Sequence, residues 1–147
     1  MLISACGEKQ EIGFTHPPID EADDANAAIA VIDDWSGRLS DGDTEGAAEL
    51  FAIPSLAVNG DIPLRLTSRD DALAFNRSLP CGATLVKARP AGDLIAATFR
   101  LTDRPGGACG SGVGHLARTA FEIEDGHILQ CRRLPDPEAL EPRGEVV

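Results

Sequence analysis

Three stretches of helical spacing lie before Pro80, with only two short strands among them, and four longer strands fill the chain from Thr84 to Leu134. Helices gathered in one half and strands in the other point to an α+β domain, because a parallel sheet would alternate the two. The first helix is predicted from Glu21 to about Leu39, where Ala28, Ile29, Ile32, Trp35 and Leu39 recur on one face. Ser40-Asp41-Gly42-Asp43 breaks it. Asp43 then caps a second helix, Thr44 to Phe51, and Pro54 ends it. Ser68 caps a third, Arg69 to Leu79, with Asp70 and Asp71 at its positive end.

The strands follow from alternation and turn chemistry. Leu56 to Asn59 and Ile62 to Leu66 flank Gly60-Asp61, and Thr84 to Arg89 turns at Gly92-Asp93 into Leu94 to Thr102. A glycine-rich stretch, Pro105 to Gly114, leads to His115 to Ile123, and Asp125-Gly126 turns that strand into His127 to Leu134. Residues 1–20, with His16-Pro17-Pro18, read as a flexible N-terminal segment, 21–137 as the folded domain and 138–147 as an acidic tail.

A chain of 147 residues supports one core. Its net charge of −11 argues against a nucleic-acid partner, which needs clustered Lys and Arg. Arg132-Arg133 is a basic pair on a strand and reads as a solvated or dimer-facing edge; a homodimer is expected. The four cysteines form no CxxC, and His16, His115 and His127 are scattered, so neither a metal nor a cofactor is expected.

Ile3-Ser4-Ala5-Cys6 fits a bacterial lipobox, in which Cys6 would be lipidated and tethered through the polar stretch Gly7 to Pro18. Five residues precede it, too few for a signal peptide. A periplasmic or membrane-anchored lipoprotein is therefore the expectation if the gene starts upstream, and a cytoplasmic protein otherwise. If the protein is exported, Cys81 and Cys109 are expected to come close enough to bridge. Pairing across Gly92-Asp93 sets Cys81 opposite Arg104, and Cys109 lies in a loop able to fold back.

The order helix, helix, two short strands, helix, antiparallel meander, together with Trp35 to Ala52 and the Phe121-x-x-x-Asp125-Gly126-x-Ile128 hairpin, resembles the nuclear-transport-factor-2-like superfamily. Ketosteroid isomerases and SnoaL-like polyketide cyclases share that scaffold. The resemblance covers about Ala22 to Asp136. It implies an α+β cone: a curved antiparallel or mixed sheet covered by three helices, enclosing a ligand cavity. Ketosteroid isomerases use a tyrosine oxyanion donor, an aspartate base and a protonated acid, an arrangement familiar for that enzyme. Those positions fall here on Trp35, Asn59 and Thr119. An amide has no basic lone pair near neutral pH, an indole lacks a phenol's acidity, and a threonine carries no titratable proton, so isomerase chemistry by that route is not expected.

The resemblance and the strand alternation together place Trp35, Ala57, Asn59, Phe99, Thr119 and Phe121 around the cavity, with His115 at its rim as proton shuttle or exposed loop residue. Asp61 is a displaced base or a turn residue. Three functions stay open: a domain binding a small apolar molecule, a SnoaL-like isomerase, cyclase or hydrolase acting on an apolar cyclic substrate, and a dimeric interaction module.

Overall fold

The structure is a computed structural model that describes residues 17–136, with side chains from residue 23 onward. Cys6 and the acidic segment 138–147 lie outside the described residues. The chain forms α1 (Pro17–Ser40), α2 (Thr44–Glu49), β1 (Phe51–Val58), β2 (Pro63–Leu66), α3 (Arg69–Ser78), β3 (Gly82–Ala91), β4 (Leu94–Thr102), β5 (Leu116–Glu124) and β6 (His127–Leu134). Pro17 and Pro18 open the first helix rather than block it, since the first turn needs no backbone N–H donor from them. The helix therefore starts inside the segment expected to be flexible.

Local chemistry sets most of the other boundaries. The Asp43 side chain accepts a hydrogen bond from the Gly46 N–H at 2.9 Å, and Ser68 accepts from the Asp71 N–H at 3.1 Å, so both predicted caps satisfy helix-end donors. Asp125 and Gly126 take φ of 53° and 78°, the paired positive values that a tight hairpin turn requires. One boundary differs. The second helix stops at Glu49, and Phe51 opens β1 opposite Ile128 instead of closing the helix.

Among the described residues, six strands form one mixed, curved and unclosed sheet in the order β2-β1-β6-β5-β4-β3. Only β1 and β6 run parallel; every other neighbouring pair is antiparallel. The three helices cover one face, which completes the α+β cone. Residues on that face (Phe51, Ala57, Ala97, Phe99 and Phe121) are buried with Ile32, Trp35 and Leu39 of α1 in a single core. Ser40 Oγ fastens the end of α1 to β3, donating to the Ala83 carbonyl at 2.8 Å and accepting from its N–H at 2.9 Å.

Bulges adjust the registers. One between Leu85 and Lys87 sets Gly82 opposite Thr102, so Cys81 falls one place short of facing Arg104. The glycine-rich loop nevertheless folds back, and Cys81 and Cys109 form a disulfide with Cα atoms 4.5 Å apart. The Ala108 N–H donates to the Pro80 carbonyl at 2.9 Å, and a Cβ on Gly107 would collide with that same oxygen, so only glycine fits there. Arg104 anchors the loop's other end. Its guanidinium is buried and donates to the carbonyls of Arg77, Leu79 and Pro105 at 2.8–3.0 Å, a cation set on the negative end of α3.

The bridge closes 28 residues of chain, for which loop-closure entropy gives about 3–4 kcal/mol of stability. Urea unfolding of a Cys81→Ser/Cys109→Ser variant is expected to show a loss of that size. An unchanged midpoint would mean that the Arg104 and Pro80 contacts hold the loop without the bridge.

Candidate functional site

Trp35 sits in the C-terminal half of α1 and reaches the sheet between three phenylalanines. Its ring meets Phe51, Phe99 and Phe121 edge-on at centroid distances of 6.4, 5.9 and 5.6 Å. Its Nε1–H donates to Asn76 Oδ1 at 2.8 Å, and Asn76, fully buried in α3, donates through Nδ2 to the Ala72 carbonyl at 2.8 Å. Both groups are thereby satisfied away from water. The indole N–H that would be the nearest counterpart of an oxyanion donor is committed to α3.

Beside this indole lies a cavity of about 220 Å³. Leu39 of α1, Phe75 of α3 and Leu79 just after α3 wall it on the helical side, while Ala83, Phe99 and Ala117 face it from the sheet. Sites for drug-sized ligands run about 300–1,000 Å³, so this one suits a single ring or a short chain. Among the described residues, three polar side chains line it: Asn59, Thr119 and Arg133. Asn59 and Arg133 are exposed and mark its mouth, and Cys81 brings the disulfide to its lip. Among the described residues, no carboxylate and no histidine lines the cavity. Deprotonation of a carbon acid there would lack a side-chain base.

Of the residues expected around the cavity, Trp35, Asn59, Phe99 and Thr119 line it. Ala57 and Phe121 do not: both are fully buried, Ala57 pairing with Cys131 and Phe121 supporting Trp35 and Phe99 from beneath. His115 is exposed, just before β5, and lies outside the lining. Asp61 is exposed in the bend between β1 and β2 and faces no part of the cavity, so the turn reading of this residue is the one the geometry matches.

Arg133, expected with Arg132 on a solvated or dimer-facing edge, instead lies on the interior strand β6 and lines the cavity, and a bulge explains the difference. From the Asp125-Gly126 turn, unbroken pairing would set Thr119 opposite Arg132. The ladder instead shifts between Glu122 and Ile123, pairing Thr119 with Arg133 and Phe121 with Cys131. That shift of one residue aims Arg133 and Cys131 inward and Arg132 outward. Arg133 Nη2 donates to Asp136 Oδ1 at 2.7 Å.

The Cys131 thiol is buried at the cavity floor, and burial alone pushes its pKa from 9.0 to about 12. It is a neutral thiol at physiological pH, and a poor nucleophile.

No protein-family model matches the sequence, and no curated protein matches it. Solved structures do. A candidate ketosteroid isomerase from Kribbella flavida is 21% identical, with a TM-score of 0.57 over 80% of this chain and 89% of that one. A candidate polyketide cyclase from Sinorhizobium meliloti is 16% identical, with a TM-score of 0.54 over 71% and 94%. An NTF2-like protein of unknown function from Cytophaga hutchinsonii is 11% identical, with a TM-score of 0.56 over 76% and 91%. These likenesses establish the nuclear-transport-factor-2-like fold. A fold that hosts such different proteins does not choose among their activities.

Two measurements check the site's construction. Trp35→Phe, Asn76→Leu and the double variant form a cycle in which each single change strands a buried polar group. A coupling of about 1–2 kcal/mol is expected, and additive losses would mean that the hydrogen bond contributes nothing. For Cys131, the native state keeps a proton that the unfolded chain releases above pH 9. Its contribution is full below that pH and is lost as pH rises toward about 12. Cys131→Ala is expected to flatten the alkaline decline in stability, and an identical slope would place the thiol in contact with water.

Proposed function

We propose that the domain binds a small, largely apolar molecule in the cavity beside Trp35 and does not isomerise ketosteroids. The observation that carries this reading is the lining itself. Among the described residues, aromatic and aliphatic side chains form the walls, three hydrogen-bonding side chains gather at one end, and no group able to act as a base at neutral pH faces the interior. Asn59 stands where the ketosteroid-isomerase resemblance puts an aspartate, and its amide can orient a ligand oxygen without taking a proton. The size of the cavity also favours a molecule smaller than a four-ring steroid.

The disulfide supports a site of action in an oxidising compartment. That setting is the one in which a lipidated Cys6 would hold the domain at a membrane.

Because Trp35 is the chain's single tryptophan, its emission reports on the cavity wall directly. Titration with 1-hexanol is expected to shift that emission saturably, and Ala117→Phe, which fills the floor, to abolish the shift. A linear, non-saturating response in both proteins would overturn the binding reading. With 3-cyclohexenone, whose isomerisation needs only a proton moved between two carbons, the native protein is expected to show no turnover above buffer. Asn59→Asp is expected to gain a measurable rate by placing a carboxylate at the cavity mouth. Turnover by the native protein would contradict the non-catalytic half of the proposal.

A further inference from the structure

Arg133 is the only charged side chain lining the cavity among the described residues, in a chain whose net charge is −11. Thr119 is its partner on β5, and one step beyond the Val58–Arg132 pairing sets Asn59 beside it on the β1 side. Thr119 of β5, Arg133 of β6 and Asn59, the residue that follows β1, thus place hydrogen-bonding side chains in one row across the end of an otherwise apolar chamber. From that row we infer that the ligand is a carboxylic acid with a short apolar body, its carboxylate held by Arg133 between Asn59 and Thr119. This inference rests on the binding reading above and adds the chemical class of the ligand.

The donor set fits that group. A guanidinium presents five N–H donors in a plane and matches a carboxylate through two parallel hydrogen bonds. The bond to Asp136 uses one of those donors. The Asn59 amide and the Thr119 hydroxyl add neutral donors on either side. One cation balances one negative charge, whereas a phosphate dianion would lack a second cation in this lining. The apolar body would then lie along Trp35, Phe99 and Phe75, with Ala83 and Ala117 leaving room for it.

Asp136 has a defined part in this arrangement. Its carboxylate occupies the guanidinium at the mouth and repels an incoming acid, so it competes with the ligand. Removing that charge should tighten binding, an effect opposite in sign to the loss of Arg133.

Hexanoate and 1-hexanol form a matched probe pair, with Trp35 emission as the readout. Because Arg133 is partly exposed, the expected preference for hexanoate is moderate, about five- to tenfold. Arg133→Gln is expected to bring the hexanoate-to-hexanol affinity ratio down to about one, and Asp136→Asn to raise hexanoate affinity. Added salt should shrink the preference in the native protein. Equal affinities for the two probes in the native protein, or a preference that survives Arg133→Gln, would overturn the carboxylate assignment while leaving apolar binding in place. Failure of both probes to bind would remove the binding reading, and this inference with it.

Discussion

The hydrogen bond from Trp35 Nε1–H to Asn76 Oδ1 decides how the helical layer sits on the sheet. It joins the C-terminal half of α1 to α3 where both residues are buried, so the indole N–H and the Asn76 Oδ1 would each be left unsatisfied without the other. With its polar edge fixed toward α3, the indole turns its remaining surface to Phe51, Phe99 and Phe121 on one side and to the cavity on the other. The same bond that stabilises the packing removes the indole as a hydrogen-bond donor to a ligand. In the proposed binding, recognition falls to the polar residues across the chamber.

Those strand residues are placed by irregularities in the sheet more than by its regular parts. The bulge between Glu122 and Ile123 determines which of two adjacent arginines faces inward. On the opposite side, the disulfide and the buried Arg104 guanidinium hold the glycine-rich loop against the end of α3, which positions Leu79, Pro80 and Cys81 at the lip. Neither device supplies a group for chemistry inside the cavity. Both fix its shape, which supports the proposed binding role.

The sequence made the element order legible because turn and cap chemistry is local. The strands Leu94 to Thr102 and His127 to Leu134 have the same bounds in both readings, set by glycine at the turns. The Asp43 cap and the Pro54 stop bracket a helix that takes in Phe51, whereas its pairing with Ile128, 77 positions away along the chain, carries no local signal. Within the site, Trp35, Asn59, Phe99 and Thr119 were found by position in the resembled fold and by alternation. Ala57 and Phe121 also lie on the inward-facing side but beneath the chamber rather than along it, a distinction of depth that alternation does not encode. Arg133 was hidden by the bulge, which reverses the alternation after Ile128.

The central claim is that the chamber beside Trp35 takes up a small molecule at its strand side while the indole N–H stays with Asn76. Nuclear magnetic resonance of isotopically labelled protein, titrated with 1-hexanol, tests both halves in one spectrum, since a single tryptophan gives a single indole N–H signal. The expected result is a shift of the Asn59 side-chain amide and of the Ala83 and Ala117 methyl signals, with the indole N–H protected from solvent exchange throughout. Shifts confined to Arg118 and Glu122 of β5, which alternate with the inward-facing Thr119 and Phe121, with the Asn59 and Ala117 signals unmoved, would contradict it.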